Sequence, residues 1–187
     1  MKEGLRKEGK KIRENLPKSE LLEKSDRIKK RLYKMKEFRK APTILFYVSY
    51  DNEVYTHDMI KESLSTEKNV IVPITDKENH CLILSKIKAW EDLERGAYSI
   101  LEPNKNCVNK VSLDKIDLIL VPGVVFDKSG NRIGHGVGYY DSLLKDSKNA
   151  CHIGLAFEVQ IVDSIPAEEH DMKVDKIVTE NRVINCF

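Results

Sequence analysis

The sequence predicts an α/β protein built around a largely parallel sheet. Three observations carry that expectation: β-branched and aromatic runs at 43–49, 69–74 and 117–121, helical periodicity between the first two, and turn residues closing each run. A length of 187 residues is expected to form one compact domain, 1–187. Hydrophobic residues make up 41% and charged ones 33%, which supplies a core and excludes a disordered chain. The longest uninterrupted apolar run is 44–48, and the amino terminus opens on Lys, Glu and Arg. No membrane span or signal peptide is read, so the expectation is a soluble, cytoplasmic protein.

Taken in order, residues 2–15 read as a helix that Pro17 ends. Only Leu5, Ile12 and Leu16 are large and apolar there, while Lys2, Arg6, Lys7, Lys10 and Arg13 crowd it, so it is expected to pack poorly and to dock with help from a ligand. A second helix is expected from Ser19 as N-cap, with Leu21, Ser25, Ile28, Leu32 and Met35 as its core stripe. The run T-I-L-F-Y-V-S at 43–49 reads as a buried strand, Asp51-Asn52 as a turn, and 56–64 as a helix. With N-V-I-V-P-I at 69–74 this makes a β-α-β unit, which implies parallel pairing and a right-handed crossover. A further strand is read at 80–85, then a mixed stretch with turns at Arg95-Gly96 and Pro103-Asn104. D-L-I-L-V at 117–121 is another buried strand, and V-V-F and R-I-G flank a hairpin turn at 127–131. A helix opens at Tyr139, and strands at 151–157 and 176–179 complete the sheet.

The four cysteines form no C-x-x-C pair, which excludes a zinc ribbon and a thioredoxin motif and favours reduced, buried thiols. The first 40 residues hold 16 Lys and Arg against 7 Asp and Glu, a local charge of about +9 in a chain whose total is +2. Two readings stay open: a basic arm that meets an anion, or an ordinary solvated helical face.

The most informative segment is N-R-I-G-H-G-V-G-Y-Y-D at 131–141. Gly134, Gly136 and Gly138 stand just before a helix, where backbone N–H groups can converge on an anion. The same glycines also suit a tight connection. The spacing is neither a Rossmann fingerprint nor a Walker loop. Arg132 and His135 flank the loop, Lys128 lies in the turn before it, and a guanidinium grips phosphate through paired hydrogen bonds. Asp141, in the first helical turn, either offsets the helix dipole or serves as a carboxylate ligand for Mg²⁺. Glu168, Glu169, Asp171 and Asp175 offer a second carboxylate, or an acidic surface loop. The histidines at 57, 80, 135, 152 and 170 lack zinc spacing, and no G-x-S-x-G is present. Glu53 follows the first strand at the edge where open α/β sheets bind ligands. Tyr50, Tyr55, Phe126, Tyr139 and Tyr140 cluster at these edges and suit stacking on a flat heterocycle, with core packing the default for Phe126.

The run L-V-P-G-V-V-F-D-K-S-G-N-R-I-G-H-G-V-G-Y-Y-D at 120–141 resembles the signature of the 5-formyltetrahydrofolate cyclo-ligase family, also called methenyltetrahydrofolate synthetases. K-E-G-L-R at 2–6, N-E-V-Y-T at 52–56, G-A-Y-S-I-L-E-P at 96–103 and E-H-D-M-K-V-D at 169–175 follow in family order. The resemblance implies a three-layer α/β/α fold similar to that of sugar-phosphate isomerases and CoA transferases. It implies ATP- and Mg²⁺-dependent conversion of 5-formyltetrahydrofolate to 5,10-methenyltetrahydrofolate with release of ADP and phosphate. It further implies that the formyl oxygen attacks the γ-phosphate, N10 attacks the activated carbon, and phosphate leaves.

Carried over by position, Lys2 and Arg6 would contact ATP, and Arg132, Gly134, His135, Gly136, Val137, Gly138, Tyr139 and Tyr140 would wrap its phosphates. Arg6, Arg132 and Tyr139 would be catalytic, Tyr50, Glu53, His135 and Tyr139 would line the folate pocket, and Asp141 and Asp171 would hold Mg²⁺. The chain departs from common family residues at His135, Val137 and Tyr55. The expected partners are the small-molecule substrates ATP and 5-formyltetrahydrofolate, with neither nucleic acid nor membrane, and the expected state is a monomer. Two other functions remain to be weighed: a paralogue that binds nucleotide or folate without turnover, and an RNA-binding protein using the basic segment. The second has only Tyr33 and Phe38 for base stacking within that segment.

Overall fold

The computed structural model describes residues 1–168 and 171–186; Glu169 and His170, singled out above, lie outside them. Helices α1 (Lys2–Glu14), α2 (Lys18–Lys34) and α3 (Lys36–Lys40) lead into strand β1 (Thr43–Leu45) and helix α4 (His57–Leu64). Strands β2 (Asn69–Asp76) and β3 (Cys81–Ile87) follow, then a ribbon of β4 (Leu93–Arg95) and β5 (Leu101–Pro103). Next come β6 (Leu118–Val121), the hairpin strands β7 (Val125–Asp127) and β8 (Arg132–Ile133), and helix α5 (Tyr139–Asp146). The chain ends with β9 (Cys151–Leu155), β10 (Ile161–Val162), β11 (Lys176–Val178) and β12 (Val183–Asn185).

Seven strands form one sheet in the order β12-β11-β9-β6-β1-β2-β3. The inner five run parallel, and β3 and β12 pair antiparallel at the two edges. Alternation fills both faces. Ile44, Phe46, Leu118 and Leu120 join a core under α2, α3 and α4, while Leu45, Ile119 and Val121 join one with Leu143 and Leu144 of α5. The expected α/β class is thereby observed as helices on both faces of a mostly parallel sheet. No helix among the described residues is long and apolar enough to cross a membrane.

Several expectations need correction. The strand read at 43–49 leaves the ladder after Leu45, apart from a bond from Phe46 N to Ile71 O of 2.9 Å. Side chains replace it: Ser49 N donates to Thr56 Oγ1 (2.9 Å), Thr56 N to Ser49 Oγ (3.0 Å), and Thr56 Oγ1 to Tyr47 O (2.7 Å). That clasp closes the loop carrying Tyr50 and Glu53. Ser19 is not the N-cap of α2, because Pro17, fixed at φ −58, already precedes the first helical residue. Met35 lies past the helix end, and β12 is an additional strand. The strand read at 151–157 stops at Leu155. The cysteines are unpaired as expected, but all four are half-buried rather than buried.

The amino-terminal helix also packs better than expected. Leu5 joins Val124, Val125, Ile133 and Ile165 in a separate apolar cluster beneath α1. Gly9 is buried against the small sheet, where a Cβ would stand 2.5 Å from Val125 Cγ2 and 3.1 Å from the Val124 carbonyl oxygen. Arg13 is buried as well, its Nη1 donating to Gly123 O at 3.2 Å. Counting large apolar side chains misses both devices, since glycine docks by having no side chain and arginine by burying its stem.

Candidate active site

The chain from β1 builds the sheet toward β2 and β3, and the chain from β6 builds it the other way toward β9 and β11. Neighbours that diverge like this leave a crevice past their carboxyl ends, where open α/β sheets take ligands. A cleft of about 820 Å³ lies there, reached by Tyr47 and Val48 after β1 and by Pro122 after β6. That volume falls in the range of small-molecule sites.

One wall of the cleft is cationic. Lys2, Arg6 and Lys10, spaced four apart, present one face of α1 to it. Arg6 Nε donates to Gly134 O at 3.0 Å, which fastens the helix to the glycine-rich loop, and its guanidinium also pairs with Glu3. Lys2 Nζ meets Asp171 Oδ2 at 2.5 Å and Glu168 Oε1 at 3.0 Å. Burial pulls the Lys2 ammonium down, but these two acids outweigh it and leave it above its ordinary value. Within the loop, Gly136 (φ 104°) and Gly138 (φ 83°) occupy left-handed backbone that favours glycine, and Gly138 turns the chain into α5.

Arg132 is a buried residue of the same lining. Its side chain is 3% exposed, and Nη2 bonds Asp141 Oδ1 at 2.8 Å. Burial lowers its pKa, against the pull of Asp141, Tyr140 and Asp171. Its Nε and the Tyr140 hydroxyl are both buried without a partner, and the guanidinium stands 6.0 Å from the Tyr140 ring centroid. Unsatisfied buried donors at a cleft are poised to bond a ligand. Burial also holds the Tyr140 phenol far above its ordinary pKa, so it remains a donor.

Carboxylate and aromatic side chains also line the cleft. Glu53 is 5% exposed; Oε2 accepts from Tyr50 N at 3.2 Å, and Oε1 stands 3.3 Å from His135 Nε2. The His135 ring lies tilted by Tyr50, with centroids 5.6 Å apart. The Glu53 and His135 contact joins the clasped loop to the glycine-rich loop. Tyr139 faces Tyr98, and desolvation together with Tyr98 raises its phenol.

The sequence profile of the 5-formyltetrahydrofolate cyclo-ligase family matches residues 1–180. The chain belongs to that family. It is 31% identical to the 5-formyltetrahydrofolate cyclo-ligase of Haemophilus influenzae, covering 93% of this chain and 95% of that one. It is likewise 31% identical to the mouse enzyme, covering 96% and 94%. The NMR structure of Aquifex aeolicus 5,10-methenyltetrahydrofolate synthetase superposes with a TM-score of 0.87 at 34% identity, covering 98% and 92%. The Mycoplasma pneumoniae synthetase shares the fold, with a TM-score of 0.77 at 22% identity.

Against the cyclo-ligase family motifs, the structure brings every site residue named from the sequence to this one cleft. Lys2, Arg6, Tyr50, Glu53 and Arg132 line it, as do the loop from Gly134 to Tyr140 and the two acids Asp141 and Asp171. Four residues singled out otherwise do not. Lys128 and Asp175 are absent from its lining, and Asp175 instead accepts from His152 N at 2.7 Å. Phe126 is fully buried core, and Tyr55 leans on His57 at 4.6 Å between centroids.

Sequence reasoning missed Lys10, Tyr98 and Glu102. The four-residue step from Lys2 through Arg6 was the available signal for Lys10. Glu102 is buried and accepts from Thr75 N (3.0 Å) and Ala97 N (3.4 Å), tying the β4–β5 ribbon and its left-handed Tyr98 to the main sheet. Nothing local in the sequence marks such a bond.

Among the described residues, no three His, Cys, Asp or Glu side chains gather into a metal cage. Asp141 and Asp171 nonetheless fit Mg²⁺, which takes one or two hard carboxylates and completes its shell with phosphate and water. Both act electrostatically on Arg132, which puts them in one neighbourhood of the cleft.

Proposed function

We propose that this protein catalyses ATP-dependent cyclisation of 5-formyltetrahydrofolate to 5,10-methenyltetrahydrofolate, with release of ADP and phosphate. Family membership over residues 1–180 carries the reading, and a cleft lined by both cationic and aromatic side chains supports it. An amide oxygen is a poor leaving group until it is phosphorylated. In the proposed sequence the formyl oxygen attacks the γ-phosphorus as the bond to ADP breaks, N10 then attacks the formyl carbon, and phosphate departs with the former formyl oxygen.

Such transfer needs positioning and charge neutralisation more than covalent catalysis. Lys2, Arg6 and Arg132 would bind the phosphates, helped by N–H groups from Gly134 to Tyr140 at the start of α5. Nε of Arg132 and the Tyr140 hydroxyl would find in the substrates the acceptors they lack. Tyr50, Glu53 and Tyr139 would line the pterin side. Asp141 and Asp171 would hold Mg²⁺, which supplies neutralisation of phosphate charge.

The test is a spectrophotometric assay of purified protein. Methenyl absorbance that grows only with both ATP and 5-formyltetrahydrofolate supports the reading. Calorimetric binding of either ligand with no product selects the non-catalytic paralogue instead.

A further inference from the structure

We propose that Asp127 is a positioning residue for the nucleotide end of the cleft: its carboxylate holds the acidic turn of Glu168 and Asp171 against Lys2, beside Arg132. The assignment rests on the ATP-dependent reading above. Asp127 opens the run D-K-S-G-N, the part of the 120–141 motif that is absent from the cleft lining. It is 2% exposed. Oδ1 accepts from Ser129 N (2.9 Å) and Asn131 N (3.0 Å), and Oδ2 from Asn131 Nδ2 (2.9 Å) and Ile165 N (2.9 Å). A carboxylate offers about four such sites, so this one is fully occupied. Three of the bonds close the turn at 127–131, and the fourth reaches the segment between β10 and β11.

That segment is tied to the turn at two points. Strand β10 pairs with β7 only through Ile161 and Val162, and the Asp127 side chain takes a further N–H, that of Ile165. Beyond the acids, Val174 N donates to Gly130 O at 3.0 Å. Gly130 lies at φ 85°, and a Cβ there would stand 2.4 Å from Val174 O, so this approach needs glycine. Ile165 and Val174 also bury their side chains in separate apolar clusters, which keeps the segment on the protein. Burial is non-directional, so the bonds to the turn are what fix its placement.

The acids lie between these ties. Glu168 N donates to Asp171 Oδ2 at 2.7 Å, and Asp171 N to Glu168 O at 3.0 Å. Glu168 comes three residues after Ile165, and Asp171 three before Val174. Three residues span about 10 Å at most, and Pro166 stiffens the first arm, so fixing Ile165 and Val174 confines both acids. They meet Lys2, whose Nζ stands 3.0 Å from Glu168 Oε1 and 2.5 Å from Asp171 Oδ2. Asp171 also acts electrostatically on Arg132, whose chain neighbour Asn131 is held by the same Asp127. One buried carboxylate thereby sets the placement of both acids, Lys2 and Arg132.

Asp127→Asn isolates the tie to Ile165. Its one remaining oxygen serves Ser129 N and Asn131 N. The Asn131 amide, whose Oδ1 is buried without a partner, can turn over to accept from the new NH2. The turn then survives, while Ile165 N faces a donor and loses its bond.

The experiment is calorimetric titration of the wild type, Asp127→Asn and Asn131→Ala with ATP and Mg²⁺, with KM for 5-formyltetrahydrofolate measured beside it. Asp127→Asn is expected to raise Kd for ATP roughly tenfold, as for loss of an outer support of a binding site, with KM for the folate unchanged. Amide exchange should quicken at Ile165 and over 171–174. Asn131→Ala keeps the tie to Ile165, so it should lower the melting temperature and leave Kd for ATP unchanged. An unaltered Kd in Asp127→Asn overturns the proposal, as does an equal rise in Asn131→Ala or in the folate KM. Should Asp127→Asn not fold, Gly130→Ala decides instead, because its Cβ displaces Val174 at the other tie. The same rise in Kd is expected there, and an unaltered Kd overturns the proposal. A wild type that binds no ATP defeats the ATP-dependent reading and this assignment together, whereas one that binds ATP without forming product defeats only the cyclo-ligase reading.

Discussion

Helices α1 and α2 are both basic and amphipathic, yet their cations do different things. On α1, Lys2, Arg6 and Lys10 face the cleft. On α2, Lys24 pairs with Glu20 (2.9 Å) and Glu180 (3.3 Å), Lys30 with Asp26 (2.6 Å), and Lys29 with Glu62 (2.6 Å) and Asp26 (3.4 Å). The local charge of about +9 therefore divides into cations that line the cleft, where Lys2 and Arg6 are themselves ion-paired, and an ion-paired face on α2 outside it, so neither reading of that charge holds for the whole segment. What separates the halves is docking, because α1 lies on the hairpin at the mouth of the cleft through Gly9, whereas α2 covers the sheet with Leu21, Ile28 and Leu32.

Substitutions can break that contrast. The largest effect is expected at Arg132, the fixed cation against which the α1 face works. Arg132→Ala should lower kcat/KM by roughly a hundredfold, about 3 kcal/mol, as for loss of an electrostatic transition-state contact. Thermal melting run beside the assay separates this from the cost of leaving Asp141 without its buried partner.

Gly9→Ala comes next. Its Cβ would meet Val125 Cγ2 at 2.5 Å, an overpacking cost of about 1–3 kcal/mol that exceeds the gain of about 1 kcal/mol in helix propensity. The helix should shift off the hairpin, and KM for ATP should rise several-fold with little change in the rest of the fold by circular dichroism. Asp141→Asn should raise the Mg²⁺ concentration for half-maximal rate several-fold, which a metal titration reads directly. The smallest effect is expected on α2: Lys29→Ala should cost less than about 1 kcal/mol in chemical denaturation and leave kcat/KM unchanged.

Much of this was legible in the sequence because it depends on local pattern. The runs at 69–74 and 117–121 became inner strands, and the glycines before Tyr139 became a loop entering a helix. What was hidden depends on pairing between distant residues. The strand at 43–49 looked longer than it is because β-branched residues are favoured equally by a ladder and by the extended loop that Ser49 and Thr56 clasp. Likewise β12 is defined by its partner β11 rather than by a strong apolar run. Arg6, Arg132 and Asp141 were named from the motif, but the contact of Glu53 with His135 joins positions 82 apart and appears only once the chain is folded.

The most direct measurement of the central claim, that nucleotide sits between α1 and the glycine-rich loop, is amide hydrogen exchange with and without ATP and Mg²⁺. Slowed exchange confined to residues 2–10 and 134–141 is expected, with α2 unchanged. Protection along α2, or none at the loop despite saturating ATP, would contradict it.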